Sequence, residues 1–378
     1  MRVSSASPQT TRRCLFLSVS RPVLAYNNLM LLEGIFPAIT TPFYPDGRLY
    51  FRKLEHNVDR YSRTPVAGIA VLGSTGEAVM LSDEESREVL RTAREAAAPE
   101  KVLIAGVGRE SLLETLRLAD FAAQQQYDAL LVRTPHYYGP GMRSLELLTY
   151  YRALADRAAL PVILYSIPKF THLELPIEVV AELAHHPNII AIKDSSGNLD
   201  RLIALVAATR SARRREFLVT PVFQAVTARM LSAATEPDRN FVTAESLGGV
   251  AVAPPPPRVK AMRKRDVGFQ ILTGSAQNLL SAFEAKVSGA ILAFAAPAPQ
   301  ACHEVYTAWK ENDPRVAQEK QRRMIEPARL VAADYGIPGL KYACDLNGYY
   351  GGNPRIPLLP LTAEQKSAVA AIMADVRN

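Results

Sequence analysis

Short apolar runs alternate with polar turns and amphipathic stretches between residues 34 and 294. Runs of this length that are apolar on both sides and rich in β-branched residues are typical of buried parallel strands. There are eight such runs, at residues 35–40, 66–73, 102–107, 129–134, 161–165, 189–193, 269–273 and 290–294. Eight strands that alternate with helices predict an α/β fold, a (β/α)8 TIM barrel. A doubly wound open sheet is the alternative, but no GxGxxG sequence follows the first run.

Helix-start signals support this alternation. Glu85 follows Ser82 by three residues, which predicts a capping box where the helix after the second run begins. Ser111 and Glu114 repeat the spacing before the next helix. We therefore assign residues 33–298 to the barrel.

Three segments lie outside the barrel pattern. Residues 1–32 have no helical or strand period and no acidic residue, so we expect a poorly ordered extension outside the fold. Residues 210–266 interrupt the seventh unit, and we expect them to loop out as an insertion before the seventh strand. Residues 299–378 form a predicted C-terminal helical region. Its helical stretches are 299–312, 314–335 and 362–376, with a turn at 351–354 between the last two.

The inserted segment carries much of the charge. Residues 210–266 hold eleven basic and five acidic residues, and residues 1–30 hold four arginines and no acid, so the rest of this +7 chain has a small net negative charge. We therefore expect no nucleic-acid partner. Nucleic-acid binding through the basic runs Arg213–Arg215 and Arg263–Arg265 is the alternative, and Pro254–Pro257 lies between those runs.

The amino-acid composition is that of a globular protein that does not span a membrane. Hydrophobic residues make up 48% and charged residues 21% of the 378 residues, and no apolar run approaches the ~20 residues that span a bilayer, so we expect a globular protein without a membrane partner. Cys14, Cys302 and Cys344 are far apart, which predicts neither disulfides nor a metal site. We expect a reducing, cytoplasmic location. The Arg- and Ser-rich N-terminal segment leaves a mitochondrial transit peptide as the alternative.

Candidate chemistry lies where the predicted strands end, because active residues of such barrels gather at the carboxyl ends of the strands. Lys193 ends the sixth run, where an apolar wall around its stem disfavours the ammonium form. A neutral amine can attack a carbonyl and form a Schiff base. Tyr165 and the Gly-Ser-Thr-Gly-Glu sequence at residues 73–77 end two other strands. If Lys193 is considered alone, the alternative is a lysine without a catalytic role, whose stem is buried at the strand end and whose amine reaches solvent.

Three ordered motifs carry a resemblance to a known family. Gly-Ser-Thr-Gly-Glu at 73–77, Tyr-Ser-Ile-Pro at 165–168 and Ile-Lys-Asp at 192–194 resemble the dihydrodipicolinate synthase and N-acetylneuraminate lyase superfamily of Schiff-base aldolases. The resemblance extends from about residue 32 to the C-terminus, apart from the insertion. It implies a pyruvate-type 2-oxo acid bound covalently to Lys193, and neither a metal nor a cofactor.

The resemblance also implies roles for the neighbouring side chains. Tyr165 would move protons to and from the bound substrate, with Thr75 as a partner of its phenol. Ser74 and Thr75 would hold the carboxylate of the 2-oxo acid. One tyrosine of the pair Tyr137–Tyr138 would reach into the site of a neighbouring subunit. The implied assembly is therefore a homo-oligomer, a dimer or a tetramer.

The loop after Tyr165 bears on the choice of substrate. Dihydrodipicolinate synthases carry Tyr-Asn-Val-Pro-Ser-Arg-Thr-Gly, whose arginine binds the second substrate's carboxylate, whereas this chain has Phe170 in the arginine's place. A phenyl ring cannot make that contact, unless Lys169 substitutes. Similarity to 4-hydroxy-2-oxoglutarate aldolases implies cleavage of that substrate into pyruvate and glyoxylate, with Ser195 in the binding site. Gly274, at the end of the predicted seventh strand, is a further candidate for substrate binding. The motifs that carry this similarity lie at 165–168, 193–195, 325–327, 336–341 and 348–352.

Other functions remain open from the sequence. Dihydrodipicolinate synthase activity or another pyruvate-dependent sugar-acid aldolase activity is the first alternative. A barrel without catalysis is a more remote one, since His172 replaces the glycine that usually follows Thr171 and the insertion interrupts the fold.

Overall fold

A computed structural model describes residues 30–220, 222, 224–235 and 262–376. Within them, eight strands form one parallel sheet and two more form a separate antiparallel pair. The parallel strands are β1 (Gly34–Pro37), β2 (Gly68–Val71), β3 (Val102–Gly106), β4 (Ala129–Arg133), β5 (Val162–Ser166), β6 (Ile189–Asp194), β9 (Gln270–Thr273) and β10 (Gly289–Leu292). The antiparallel pair is β7 (Arg215–Val219) with β8 (Arg263–Val267). Each of the eight predicted runs overlaps one strand of the parallel sheet.

The parallel sheet closes on itself. Its order is β1-β10-β9-β6-β5-β4-β3-β2, so β1 and β2 are its two ends. Ala38 pairs with Ala70 in a parallel bridge, and the N–H of Ile39 donates to the carbonyl of Ala70 over 3.1 Å. These contacts join β1 to β2 and complete an eight-stranded barrel. The predicted α/β barrel fold is confirmed.

Helices alternate with the barrel strands and then continue beyond them. They are α1 (Phe51–Ser62), α2 (Asp83–Ala96), α3 (Leu112–Gln124), α4 (Ser144–Ala155), α5 (Pro168–Thr171), α6 (Ile177–Leu183), α7 (Leu199–Ala208), α8 (Ala228–Thr235), α9 (Leu279–Glu284), α10 (Pro299–Lys310), α11 (Pro314–Ala328), α12 (Gly336–Leu346) and α13 (Ala363–Ile372). Ser82 and Glu85 exchange both hydrogen bonds of the predicted capping box at α2, and Ser111 accepts the N–H of Glu114 at α3.

The C-terminal region differs in one respect from the predicted helices. The stretch expected to be one helix over 314–335 ends as α11 at Ala328 and continues as a π-helical turn, Arg329–Asp334. Gly336 then takes a φ of +60° and begins α12, which was not predicted as a separate helix. A Cβ on Gly339 would lie 2.5 Å from the carbonyl oxygen of Val331, so only glycine allows this close packing.

The first described residues form part of the barrel core, contrary to the expectation that residues 1–32 lie outside the fold. Met30, Leu31 and Leu32 are buried. The side chain of Gln270 accepts the N–H of Leu32 over 2.7 Å and donates to the carbonyl of Met30 over 3.0 Å. These apolar side chains therefore fill the amino-terminal end of the barrel, and the expected boundary falls inside the packed structure.

The described part of the insertion packs against the barrel, so the expectation that it loops out is wrong there. Along β7, Arg215, Phe217 and Val219 are buried while the residues between them are exposed, and Phe217 and Val219 pack on Leu31. This alternation is that of a strand with one face against a core. The proline run at 254–257 lies outside the described residues.

Two buried arginines attach the insertion to the amino-terminal ends of the barrel strands. Arg215 donates to the carbonyls of His186, over 2.6 Å, and Ile189, over 3.1 Å, at the start of β6. Arg229 on α8 donates to the carbonyl of Lys101, just before β3. The described part of the insertion thus lies at the face of the barrel opposite the carboxyl ends of the strands.

Charged residues of the insertion pair with one another and with the barrel. Arg214 pairs with Asp266, Lys264 with Glu216, and Arg265 with Glu33 of the barrel. Within the described ranges, no helix is both long enough and apolar enough to cross a bilayer. The same ranges contain no cluster of three or more His, Cys, Asp or Glu side chains that could hold a metal ion.

Phe217→Ala should destabilise the protein, because it removes a buried ring between the insertion and the amino-terminal end of the barrel. We expect the free energy of unfolding in urea to fall by roughly 3–5 kcal/mol. Leu218→Ala, on the exposed face of the same strand, is the matched control and should change it by less than about 1 kcal/mol. Equal effects of the two substitutions would contradict packing of β7 on the barrel.

Candidate active site

The register of β5 and β6 places Tyr165 beside Lys193. The two residues are paired partners in the parallel ladder, and both are 4% exposed. Alternate residues of a strand face opposite sides, so Leu164 and Ile192 point outward to the helices while Tyr165 faces the barrel interior. The Lys193 ammonium nitrogen lies 4.2 Å from the centroid of the Tyr165 ring. The two side chains therefore contact each other at the carboxyl end of the barrel, as expected.

The turn after β2 brings a hydroxyl to the phenol. Ser74–Gly76 forms a single 3₁₀ turn in which the N–H of Gly76 donates to the carbonyl of Gly73 over 3.0 Å. The Ser74 hydroxyl lies 3.3 Å from the Tyr165 hydroxyl. Thr75 was expected to be the partner of the phenol, but successive side chains of a 3₁₀ turn diverge by about 120°. Thr75 is buried and lines the cavity beside Lys193 instead.

Ser195 and Gly274 fit closely against each other at the ends of β6 and β9. The N–H of Gly274 donates to the carbonyl of Asp194 over 2.7 Å. A Cβ on Gly274 would lie 2.0 Å from the Ser195 hydroxyl oxygen, so any larger residue would displace that side chain. Glycine at position 274 therefore leaves room for the Ser195 hydroxyl at the wall of the cavity.

A buried ion pair fixes the turn that follows Lys193. The Asp194 carboxylate accepts from the Arg201 guanidinium over 2.8 Å and from the N–H of Ser196 over 3.0 Å. Arg201 also donates to the carbonyl of Leu175, in the loop that follows α5. Arg201 was not among the residues predicted from the sequence. Its position on the first turn of α7, capped by Asn198, was the available signal.

These side chains open into a cavity of about 800 Å³. Of the described residues that line it, Lys169 and Lys193 are basic and none is acidic. The remaining lining includes hydroxyl and amide groups near Lys193 and an apolar wall from the C-terminal helices. That wall is formed by Ile325, Ala328, Ala332, Ala333, Gly336, Ile337 and Leu340. The two lysines and the absence of an acid among the described lining residues therefore favour a small anion in the cavity.

The loop after Tyr165 contains a residue in the left-handed backbone conformation that glycine adopts easily. His172, where the resembled family has glycine, takes a φ of +51°. The Thr171 hydroxyl donates to the carbonyl of Ile167 over 3.0 Å and holds the short helix α5. Phe170 is half-exposed at the cavity, and the Lys169 ammonium donates to the carbonyl of Ala333 over 2.7 Å.

Tyr137 and Tyr138 lie away from Lys193 in their own chain. They are 76% and 73% exposed, and their rings meet edge to face with centroids 5.0 Å apart. Glu110 anchors their loop by accepting the N–H of Tyr137 over 3.0 Å and the guanidinium of Arg133 over 2.6 Å. Burial alone would raise the pKa of Glu110, but these hydrogen bonds outweigh it and lower the pKa.

A second cavity, of about 200 Å³, lies on the other side of Tyr165 and Ser74. Its described lining includes Arg109, Glu110 and Arg133. The phenol therefore lines both cavities, and the smaller one is also lined by Glu110 and Arg133, which hold the Tyr137–Tyr138 loop.

Comparison with known proteins finds relatives that match most of the chain. The family model described as the dihydrodipicolinate synthetase family matches residues 31–215 and 256–376. The 4-hydroxy-tetrahydrodipicolinate synthase of Methanothrix thermoacetophila is 27% identical over 92% of this chain and 98% of its own. That of Xanthomonas axonopodis pv. citri is 39% identical over 47% of this chain and 58% of its own.

Solved structures show the same fold. YagE of E. coli K12, a protein of the dihydrodipicolinic acid synthase family solved in complex with pyruvate, superposes with a TM-score of 0.73. The match covers 92% of this chain and 99% of that one at 22% identity. Since the family model covers most of the chain and the motif residues meet at the carboxyl ends of the strands, the chain belongs to the dihydrodipicolinate synthetase family of enzymes.

Proposed function

We propose that this enzyme is a Schiff-base aldolase that cleaves 4-hydroxy-2-oxoglutarate into pyruvate and glyoxylate. The observation that carries the proposal is the buried contact of Lys193 with Tyr165, with Ser74 at the phenol, inside a cavity whose described lining has two lysines and no acid. A dicarboxylate is well matched to such a cavity, because the Lys169 ammonium and the positive charge of a protonated imine on Lys193 can each offset one negative charge.

The proposed reaction begins at the substrate's 2-oxo carbon. The neutral Lys193 amine attacks it, and loss of water together with uptake of one proton leaves a protonated imine. Removal of the proton from the 4-hydroxyl group then breaks the C3–C4 bond, which releases glyoxylate and leaves an enamine on Lys193. Protonation at C3 and hydrolysis by water release pyruvate and restore the amine.

Tyr165 is proposed to carry the protons of these steps. A phenol ionises well above neutral pH, so it needs a hydrogen-bonded neighbour to exchange protons efficiently. The Ser74 hydroxyl, 3.3 Å away, holds that position in this chain. Thr75 and Ser195 line the same cavity and are proposed to bind substrate oxygens, with the backbone of Gly274 beside them.

Synthesis of 4-hydroxy-tetrahydrodipicolinate, the activity named for the two relatives, is the second candidate. It requires a cation for the second substrate's carboxylate, and Lys169 at the cavity is the group available for it. Phe170, half-exposed at the same place, favours the aldolase instead, since it offers no hydrogen bonds. Another sugar-acid aldolase activity would use the same lysine and tyrosine.

Pyruvate release from 4-hydroxy-2-oxoglutarate should exceed turnover of pyruvate with aspartate semialdehyde, by at least about tenfold in kcat/KM. The physical reason is the apolar Phe170 in place of a carboxylate-binding arginine. Both reactions should be assayed side by side on one preparation, with Lys193→Ala as the inactive control. Faster turnover of aspartate semialdehyde would overturn the choice of substrate, and activity of neither would favour a barrel without this catalysis.

We further propose that the enzyme acts as a homo-oligomer in which a tyrosine of the Tyr137–Tyr138 pair enters the neighbouring subunit's site. Both rings are exposed in the single chain, and the small cavity beside Tyr165 has room for a polar ring edge. Glu110 holds the loop by accepting the backbone N–H groups of His136 and Tyr137. Both tyrosine rings therefore remain exposed to solvent in the single chain.

Mixing two inactive variants tests this arrangement. Lys193→Ala supplies the tyrosines and the double variant Tyr137→Phe/Tyr138→Phe supplies the lysine, so a mixed oligomer contains sites with both. We expect unfolding and co-refolding to restore up to about a quarter of the wild-type kcat, while each variant refolded alone stays inactive. No recovery in a preparation shown to contain mixed oligomers would contradict the shared tyrosine.

A further inference from the structure

A fully buried lysine lies directly behind the turn that carries Ser74 and Thr75. Lys341 on α12 and Glu77 form an ion pair of 2.8 Å, and both side chains are completely buried. The Lys341 ammonium also donates to the carbonyls of Thr41, over 2.8 Å, and Asn353, over 3.0 Å. The ammonium thus donates to two backbone carbonyls and lies at ion-pair distance from a Glu77 oxygen that accepts no hydrogen bond.

Such a pair is costly to bury, so stability alone is a poor reason for it. Two apolar side chains of similar volume in the same place would often be equally stable. Burial lowers the pKa of Lys341, and the Glu77 carboxylate opposes that shift. The other oxygen of Glu77 accepts the N–H of Arg355 over 2.8 Å, so the carboxylate is held from two sides.

The pair controls the backbone of the substrate-facing turn. Glu77 ends the Ser74–Gly76 turn with a φ of +54°, a conformation that side-chain-bearing residues seldom adopt. Its N–H donates to the carbonyl of Ser74 over 3.1 Å. The Thr41 hydroxyl donates to the carbonyl of Gly76 over 2.7 Å, and Lys341 in turn holds the carbonyl of Thr41. Lys341 therefore supports both sides of the turn.

We propose that Lys341 is a positioning residue for the reaction: through Glu77 and Thr41 it fixes the turn that presents Ser74 to Tyr165 and Thr75 to the substrate carboxylate. This inference rests on the proposed aldolase function. Leu340 and Ile337, which are neighbours of Lys341 on α12, line the cavity. One helix therefore forms the cavity wall and holds the turn across from it.

Lys341→Met removes the charge at similar side-chain volume and leaves Glu77 buried without its partner. We expect kcat for cleavage of 4-hydroxy-2-oxoglutarate to fall by about 10–100-fold. The apparent Kd for pyruvate, measured from borohydride trapping at increasing pyruvate, should rise by about tenfold. Arg215→Met is the matched control, because it also removes a buried cation that holds backbone carbonyls, but on the opposite face of the barrel. It should lower the Tm and leave both values within about twofold of wild type.

The double variant Lys341→Met/Glu77→Gln separates positioning from folding, because it leaves no unpaired buried carboxylate. We expect its Tm to recover towards wild type while kcat stays low and the pyruvate Kd stays high. Recovery of all three values, or wild-type kinetics in Lys341→Met, would show a structural role only and overturn the proposal. Absence of a pyruvate adduct in the wild-type enzyme would instead overturn the proposed function, and this inference with it.

Discussion

The parallel pairing of β5 with β6 is the constraint on which the site depends. A shift of one residue in that register would turn either Tyr165 or Lys193 away from the barrel interior. Closure of the sheet between β1 and β2 then brings the Ser74–Gly76 turn next to the same two residues. Backbone hydrogen bonding of the barrel therefore places the lysine, the phenol and the hydroxyl next to one another.

Much of this arrangement could be predicted because it follows local rules. Buried parallel strands are continuous apolar runs, and the polar residues that end them must lie at one face of a closed barrel. The Ser82 capping box and the positions of Lys193, Tyr165 and Gly274 could be found from neighbouring residues alone. The partner of the phenol could not, because the divergence of Ser74 from Thr75 depends on the 3₁₀ form of the turn.

Contacts between residues distant in sequence account for the rest. Lys341 pairs with Glu77 across more than half of the chain, and Arg201 donates to the carbonyl of Leu175, 26 residues earlier in the chain. The insertion was misjudged for the same reason. Its proline and arginine runs suggested a solvated loop, yet Phe217 and Arg215 are buried against the start of the barrel strands. The amino-terminal face of the barrel thus carries packing contacts, and the candidate site lies at the opposite face, as is usual for this fold.

The central claim is that Lys193 becomes covalently bonded to a 2-oxo acid. Its most direct test is borohydride reduction of the enzyme in the presence of pyruvate, followed by peptide mass spectrometry. Our account predicts one stable adduct, of the mass of a reduced pyruvate imine, on the peptide that contains Lys193, and no adduct in Lys193→Ala. An unchanged mass of the wild-type enzyme, or an adduct of equal yield in Lys193→Ala, would contradict it.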